Sequence, residues 1–497
     1  MQYRSTRGDE KTAINSATAV IQGLAPDGGL YVPVHFPKGQ LDLKMLPGID
    51  LPAASRFVLS TLMDDFPQDQ LAASIQAAYG KQWDDPRITP LSEAKSGNYY
   101  LELFHGPTLA FKDVALQLLP HLMVHAQQLT GNHRDIVILT ATSGDTGTAS
   151  MDGFSNVAGT QVAVFYPHKG VSPIQLHQML AEPGDNLAAY GVEGNFDDAQ
   201  TNVKKIFNDQ QMKQRLAEHG LQFSSANSMN IGRLIPQMAY YLYAYGQLVQ
   251  RGAIQLGDPV NFAVPTGNFG DILAAYYCQQ LGLPINKLIC ASNENNVLTD
   301  FFHSGNYDKR RTFTVTNAPS MDILVSSNLE RLLFDAAGED VAMVKKLMQQ
   351  LNSVGHYQIN AKMKDYLDQR FVADYADEQQ VRDEITRLYQ EARYAIDPHT
   401  AVASAVTHRY QINSHDQTPT VIVATASPYK FAETVYHSVT LRNDLGEPGL
   451  PAIKQLHQAL GGELPKAVQA LFERADRPEQ VVEPAEMEAA IARQLQI

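Results

Sequence analysis

Cysteine is almost absent from this chain of 497 residues, which contains only Cys278 and Cys290. Two cysteines suit a reducing compartment and give no basis for a disulfide framework or a cysteine-ligated metal site. The histidines are scattered and no His-Glu-x-x-His motif occurs, so no metal site is predicted.

Long apolar runs and an excess of positive charge are also missing. No uncharged apolar stretch approaches the length that spans a bilayer, and the N-terminus carries charges without the apolar core of a secretory signal. The formal net charge of -14 argues against nucleic acid or an anionic membrane as a partner. It still permits an anionic substrate, because a site needs only a few local donors. A soluble, cytoplasmic protein is the expectation.

The remaining composition is that of an ordinary globular chain, with 44% hydrophobic and 19% charged residues, and the length suits two or three lobes. Up to about residue 95 the pattern is mainly helical, with one helix expected at 11–21. From residue 99 to about 431, short apolar strands alternate with helices, which indicates parallel sheets covered by helices. The predicted division is a mainly helical region at 1–95, an α/β lobe at 96–250 and a second α/β lobe at 251–497.

One lysine, Lys112, stands in an unusual setting, the stretch FHGPTLAFKDVALQ at 104–117. A predicted strand ends just before it and an apolar period follows from Asp113, so Lys112 lies at or just before a helix N-terminus. A positive helix end and apolar neighbours both lower a lysine pKa and favour the neutral amine that Schiff-base formation requires. Asp113 acts in the opposite direction if its carboxylate faces the amine. The alternative is a surface lysine beside an N-cap aspartate.

Two loops that follow predicted strands are typical of anion sites. The first, TATSGDTGTA at 140–149, combines two glycines with hydroxyl donors ahead of a helix, as a carboxylate or phosphate cradle requires. The second, VPTGNFGDI at 264–272, has neither Rossmann spacing nor a Walker lysine, and therefore suits a phosphate held by backbone N–H groups without magnesium. The alternatives are a turn with hydroxyl caps for the first loop and a tight glycine turn for the second.

Two further stretches could complete such a site. SSANSMNIGR at 224–233 ends on Arg233, whose guanidinium suits a bidentate grip on phosphate or carboxylate, although a surface arginine at a capped helix start is the alternative. VATASP at 423–428 ends the last predicted strand, where a hydroxyl could face a ring nitrogen or simply form a turn. DPHT at 397–400 is interpreted as a structural helix start. A desolvated lysine with two anion cradles predicts an aldehyde cofactor that bears a phosphate, and pyridoxal phosphate meets that description.

The order of these motifs resembles the threonine synthase family. The run HGPTLAFKD at 105–113 closely resembles the pyridoxal-lysine motif of that family. Similar too are YRSTRG at 3–8, DGGLY at 27–31, SGDTG at 143–147, GNFDD at 194–198, NSMNIGR at 227–233 and GNFGD at 267–271. The resemblance covers most of the chain, and the occurrence of these short motifs in order is highly specific.

The resemblance implies a fold-type-II pyridoxal phosphate enzyme, an α/β protein with its site between two open parallel-sheet lobes and a mainly helical N-terminal region. Lys112 would be the Schiff-base lysine and later a proton carrier. The other cofactor-binding residues expected are Gly267, Asn268, Phe269, Gly270, Asp271 and Thr425, and the substrate-binding residues expected are Ser143, Asp145, Thr146, Asn227, Ser228 and Arg233. No metal is expected, and the chain would be a monomer or homodimer.

Two positions depart from the family pattern. Many members have TAHPAKF where this chain has TASPYKF at 425–431, which leaves the role of Thr425 at the pyridine nitrogen open. Asp145 stands where related fold-type-II enzymes often have asparagine, and the sequence does not explain how a carboxylate behaves there.

The reaction implied by the resemblance converts O-phospho-L-homoserine and water into L-threonine and phosphate, the last step of threonine biosynthesis. Arg233 suits this reaction because phosphate leaves as a dianion that fixed donors stabilise. The alternatives are a phospho-lyase that gives 2-oxobutyrate, a serine/threonine dehydratase and a non-catalytic pyridoxal-phosphate-binding paralogue. The segment 227–233 disfavours the dehydratase and retention of Lys112 disfavours the paralogue, but the sequence does not separate synthase from lyase.

Overall fold

Runs of β-branched and apolar residues form the strands of the protein, seen in a computed structural model that describes residues 1–95 and 97–497. The strands are β1 Gln2–Ser5, β2 Ile14–Asn15, β3 Tyr31–Pro33, β4 Leu91–Lys95, β5 Asn98–Glu102, β6 Asp135–Ala141, β7 Thr160–Pro167, β8 Leu187–Val192, β9 Leu221–Ser224, β10 Val260–Pro265, β11 Ile285–Ser292, β12 Asn306–Asp308, β13 His356–Gln358, β14 Phe371–Tyr375, β15 Thr420–Ala424 and β16 Gln480–Val482. The strands predicted before Lys112, before the loops at 140–149 and 264–272 and before residues 425–428 are confirmed as β5, β6, β10 and β15.

Helices separate most of the strands, and many begin at an Asn, Asp or Ser that caps the first turn. The helices are α1 Ser16–Gln22, α2 Leu51–Leu62, α3 Gln68–Ala78, α4 Lys112–Leu116, α5 Leu119–Thr130, α6 Asp145–Phe154, α7 Pro173–Leu180, α8 Phe196–Asn208, α9 Gln210–Glu218, α10 Ile231–Gln250, α11 Gly270–Leu281, α12 Val297–Ser304, α13 Leu329–Ala336, α14 Val341–Ser353, α15 Ala361–Asp368, α16 Glu378–Ala392, α17 Pro398–Ser414, α18 Ala432–Thr440, α19 Leu450–Leu460, α20 Lys466–Glu473 and α21 Met487–Leu495. Short 3-10 turns lie at Glu10–Thr12, Leu43–Met45, Pro319–Met321, Pro428–Phe431 and Pro484–Glu486.

Two sheets carry the fold. One contains five parallel strands in the order β16-β8-β7-β6-β9. The other has the order β14-β11-β10-β15-β5-β4, in which neighbours from β14 to β5 are parallel and β4 is antiparallel at the edge. The expected α/β architecture with two open parallel sheets is therefore confirmed.

Two strands belong to a different sheet from the one that the predicted division of the chain assigns to them. Strand β5, which precedes Lys112, pairs with β15, so that Glu102 lies opposite Ala424 in the six-stranded sheet. Strand β16, from the C-terminal part of the chain, pairs with β8 in the five-stranded sheet. An apolar strand does not encode which neighbour it will pair with, so chain order alone could not assign these two strands. Because β5 and β15 are adjacent and parallel, the loops after them meet.

The N-terminal region contains α1 to α3 and also a small antiparallel sheet in the order β2-β1-β3. The helix expected at 11–21 begins only at Ser16, because Asn15 accepts a hydrogen bond from the backbone of Thr18 and acts as the N-cap. Helix α10 is buried along nearly its whole length, between α2 and α11. Among the described residues, no helix has both the length and the apolar character needed to cross a membrane.

The close approach of α4 and α6 depends on Gly153. A Cβ at this position would lie 2.1 Å from the carbonyl oxygen of Leu116. We expect Gly153→Ala to lower the free energy of unfolding by about 1–3 kcal/mol, because backbone atoms must move apart in a packed core. Chemical denaturation measures the change. Gly80→Ala is the matched control, since its Cβ would come within 3.0 Å only of the Gln82 side-chain oxygen; equal losses in the two variants would contradict the explanation.

Candidate active site

Lys112 begins helix α4 with only 9% of its surface exposed. Its Nζ lies 3.4 Å from Asp145 Oδ2 and 3.4 Å from Ser320 Oγ. Burial lowers the pKa of Lys112 from 10.5 to about 8; Asp145 opposes this shift, whereas Arg233 and Lys430 add to it. The shift has the predicted direction. Burial rather than the helix dipole causes it, since α4 has only 5 residues.

The loop before Lys112 is tied down at two points. Both carboxylate oxygens of Asp113 are engaged by Thr108, whose backbone N–H donates at 2.8 Å and whose hydroxyl donates at 2.5 Å. The N–H of Phe111 donates to the carbonyl of Thr425 at 2.8 Å, just beyond the end of β15. Asp113 therefore stabilises the loop, and the opposing effect expected if it faced the Lys112 amine does not arise.

The loops after β6, β9, β10 and β15 open onto one cavity of about 410 Å³. All the predicted site residues except Asp145 line it, namely Lys112, Ser143, Thr146, Asn227, Ser228, Arg233, Gly267, Asn268, Phe269, Gly270, Asp271 and Thr425. Further lining comes from the N-terminal region, from α8, from residues 320–327 and from His399. Five stretches that are far apart in the sequence thus form one site at the carboxyl ends of parallel strands, where such folds bind ligands.

The loop between β10 and α11 is shaped to hold an anion with backbone groups. Phe269 has a φ of 61°, and no described side chain caps the first turn of α11, whose N–H groups remain available to a ligand. A Cβ at Gly267 would lie 2.8 Å from the carbonyl oxygen of Ser320, so that only glycine fits. Asn328 Nδ2 donates to the carbonyl of Asn268 at 3.0 Å and fixes this peptide.

Asp271 lies in the first turn of α11, beside this loop. Its Oδ1 accepts hydrogen bonds from the hydroxyls of Tyr240 and Tyr241. Burial raises the pKa of Asp271 to about 6. Its Oδ2 is buried and has no hydrogen-bond partner among the described residues, which suits a donor on a bound ligand.

The loop after β6 uses part of its polar groups to hold itself together. Thr142 Oγ1 accepts the N–H groups of Gly144 at 2.9 Å and Gly147 at 3.0 Å. Gly144 has a φ of 137°. This conformation favours glycine. Ser143 and Thr146 line the cavity as predicted.

Asp145 follows Gly144 in this loop and does not line the cavity. Its carboxylate forms ion pairs with Lys430 and Lys112. It also accepts hydrogen bonds from Ser320 and Gln175. A buried carboxylate in this position would repel a substrate carboxylate, so the predicted substrate contact does not fit its position. The structure brings Asp145 to Lys112 instead.

Arg233 lies in the first turn of α10 and is 3% exposed. Its Nη1 donates to the carbonyl of Ala226 at 3.0 Å, and no carboxylate of the described residues forms an ion pair with it. Burial lowers the pKa of Arg233 from 12.5 to about 10. Ser228 and Asn227 line the cavity beside it. A buried guanidinium that faces a cavity without a counter-ion requires an anionic ligand.

The sequence did not identify Ser320 and His399 as site residues. Ser320 Oγ donates to Asp145 Oδ2 at 2.6 Å, and the Ser320 N–H donates to His399 Nε2 at 3.1 Å. Since Nε2 accepts this bond, the proton of the neutral imidazole lies on Nδ1, which is 2.7 Å from Asp397 Oδ2. Asp397 is the helix cap that the sequence predicted, and the same segment also places a histidine in the cavity. No local signal marked Ser320.

The site fits an aldehyde cofactor that bears a phosphate. Lys112 offers an amine with a lowered pKa, and the glycine loop offers uncapped N–H groups in a cradle that a Cβ at Gly267 would fill. Asp271 offers a buried oxygen without a hydrogen-bond partner among the described residues, and Thr425 also lines the cavity. Because these groups suffice for the cofactor, Arg233 is available to bind a second anion.

The pKa of Lys112 can be tested through its reaction with a small aldehyde. Only the neutral amine reacts, so the rate of reductive methylation by formaldehyde should rise through about pH 8 and then level off. Mass spectrometry of the peptide that contains Lys112 gives the rate. A free lysine amine, with a pKa of about 10.4, provides the comparison. A Lys112 rate that follows the free amine would contradict the effect of burial.

Comparison with known families accounts for nearly the whole chain. Residues 2–79 match the family described as "Threonine synthase N terminus", residues 84–426 match "Pyridoxal-phosphate dependent enzyme" and residues 400–491 match "Threonine synthase, C-terminal". The human protein named "Threonine synthase-like 1" is 42% identical over 477 residues, which are 93% of this chain and 63% of the relative. The chain thus spans less than two thirds of that relative's length.

A relative of similar size is the threonine synthase of Saccharomyces cerevisiae, 35% identical over 467 residues, which are 88% of this chain and 89% of the relative. The crystal structure of a threonine synthase from Brucella melitensis with bound pyridoxal phosphate superposes with a TM-score of 0.87 at 34% identity, over 100% of both chains. The yeast threonine synthase structure also superposes with a TM-score of 0.87, at 31% identity, over 100% of this chain and 99% of the other. By sequence, fold and site, the chain belongs to the threonine synthase family of fold-type-II enzymes that use pyridoxal phosphate.

Proposed function

We propose that this chain is a threonine synthase, which converts O-phospho-L-homoserine and water into L-threonine and inorganic phosphate. The observation that carries the proposal is Arg233, a buried guanidinium without an ion-pair partner among the described residues, in the same cavity as Lys112. The cofactor phosphate has its own cradle after β10, so Arg233 provides for a second anion. The phosphate of the substrate is the anion that this family's reaction supplies.

The residues of the site divide the work between binding and proton transfer. When bound, pyridoxal phosphate supplies an electron sink conjugated to the substrate amine. With the cofactor in place, Lys112 would take and return protons at the reacting carbons as a general base and acid. Ser143 and Thr146 hold the substrate carboxylate. Arg233 holds the phosphate and stabilises the charge that develops as it leaves.

The product decides between synthase and lyase. The purified chain is incubated with O-phospho-L-homoserine, and phosphate, threonine and 2-oxobutyrate are measured. We expect phosphate and threonine in equal amounts. Phosphate with 2-oxobutyrate would make the chain a phospho-lyase with the same cofactor. No release of phosphate would overturn the proposal and favour the dehydratase or the non-catalytic paralogue.

We further propose that the protein acts in the cytoplasm, as a monomer or homodimer. The support is that Cys278 and Cys290 are both free and buried, as in a protein of a reducing compartment. Cell fractionation and sedimentation of the purified protein test the two statements.

A further inference from the structure

Lys430 is a second lysine at this site that the proposed function does not use. It lies in the 3-10 turn Pro428–Phe431, with 0% of its surface exposed, and does not line the cavity. Its Nζ donates to the carbonyl of Thr108 at 2.7 Å and lies 3.4 Å from Thr148 Oγ1. Its charged partner is Asp145, whose Oδ1 is 3.0 Å away. Burial of an ammonium group has a large desolvation free energy, which a paired carboxylate offsets.

Asp145 lies between the two lysines and presents one oxygen to each. Oδ1 faces Lys430 and also accepts from Gln175 Nε2 at 2.9 Å. Oδ2 faces Lys112 at 3.4 Å and accepts from Ser320 at 2.6 Å. Burial by itself would raise the pKa of Asp145, but Lys430 and then Lys112 hold it well below its usual range. The carboxylate is therefore charged and shared.

The position of Lys430 determines whether Asp145 keeps a counter-ion when Lys112 is neutral. Lys112 must lose its positive charge before it can act as a nucleophile. If it were the only cation beside Asp145, that loss would leave a buried carboxylate without a counter-ion, and the carboxylate would hold Lys112 in its protonated form. With Lys430 on the other oxygen, Asp145 keeps a counter-ion when Lys112 becomes neutral.

We propose that Lys430 is a positioning residue, which neutralises Asp145 so that this carboxylate can orient Lys112 and Ser320 without retaining the proton of Lys112. The inference rests on the proposed function only because Lys112 is taken as the reactive amine. The other charged or titratable groups around the pair are Asp113, on which Lys430 also acts, Arg233, which adds to the positive field at Lys112, and His399, whose Nε2 accepts the N–H of Ser320.

Single variants at the two positions should change the titration of Lys112 in opposite directions. In Lys430→Met, Lys112 is the one lysine left beside Asp145 among the described residues, so the midpoint of Lys112 methylation should rise by about one pH unit, which is about a tenfold loss of neutral amine. In Asp145→Asn, the charges of Lys430 and Arg233 are unopposed, so the midpoint should fall. The assay uses the full-length chain freed of cofactor, and Lys346→Met on exposed α14 is the control.

The double variant decides between charge compensation and a packing role. Asp145→Asn with Lys430→Met removes both charges and should return the midpoint to within about half a pH unit of the unmodified chain. Equal midpoints in all variants, or shifts of the same sign in both single variants, would overturn the proposal. If Lys430→Met does not fold, the step from Asp145→Asn to the double variant must still raise the midpoint.

The kinetic consequence is a second readout on the holoenzyme. Lys430→Met should lower kcat about tenfold at neutral pH with little change in KM, and the loss should shrink as the pH rises, because alkali restores the neutral amine. A uniform loss at every pH would contradict the proposal. Methylation midpoints do not depend on which substrate is turned over, so a failure of the threonine synthase assignment is distinguishable from a failure of this inference.

Discussion

Lys112→Ala should abolish phosphate release from O-phospho-L-homoserine, with a loss in kcat of at least about 10^4-fold. The variant loses both the amine that holds the cofactor and the group that moves protons at the reacting carbons. The other lysine that lines the cavity among the described residues, Lys204, lies on α8. Phosphate is measured at saturating cofactor, and the visible absorbance of the bound cofactor is recorded in parallel.

The control for this experiment is Lys346→Ala, which removes an exposed lysine on α14 and should leave both signals unchanged. The fold of Lys112→Ala should persist, because burial of a cation at this position opposes folding at neutral pH. Retention of phosphate release in a folded Lys112→Ala chain would overturn the assignment of every role in the site.

Arg233→Met should lower kcat/KM for O-phospho-L-homoserine by about 10^2–10^3-fold, as expected when a fixed donor to a developing anion is removed. The guanidinium is buried, faces the cavity and forms no ion pair with the described residues, so it is available to the substrate phosphate. Steady-state kinetics and inhibition by inorganic phosphate both report the loss. Arg134→Met, at an exposed position, is the matched control.

Stability gives Arg233→Met a second signature. A buried guanidinium without a counter-ion opposes folding, so the Met variant should melt at a temperature no lower than that of the unmodified chain. A large fall in melting temperature would indicate that Arg233 is a structural residue. An unchanged kcat/KM would show that the substrate phosphate binds elsewhere, even with the fold intact.

Much of the site could be predicted because its motifs are local. The loops at 140–149 and 264–272 each follow an apolar strand and precede a helix. Glycines with hydroxyl or backbone donors at that point are typical of anion sites. The position of Lys112 at a helix start followed from a strand, a turn and an apolar period within about 15 residues. The resemblance to a family then joined motifs that physical reasoning had treated singly.

The rest could not be predicted because it depends on contacts between distant segments. Ser320 and Asp145 are separated by 175 positions, and no periodicity or turn signal relates them. His399 had a sufficient local explanation as part of a capped helix start, and Lys430 stood in a turn with no mark of burial. The pairing of β5 with β15, which brings Lys112 to Thr425, could not be predicted either, because a strand's own sequence does not specify its neighbour in the sheet.

The sequence by itself determined the elements and the chemical groups of this protein, because strand and helix periods, turn residues and donor-rich loops are properties of short segments. The tertiary structure decided which of these groups share a charge. Lys112 is buried beside the carboxylate of Asp145, which also pairs with a second lysine, Lys430, from the turn after another strand. Electrostatic interaction depends on distance and on exclusion of water, and both arise only when the two sheets assemble around the cavity.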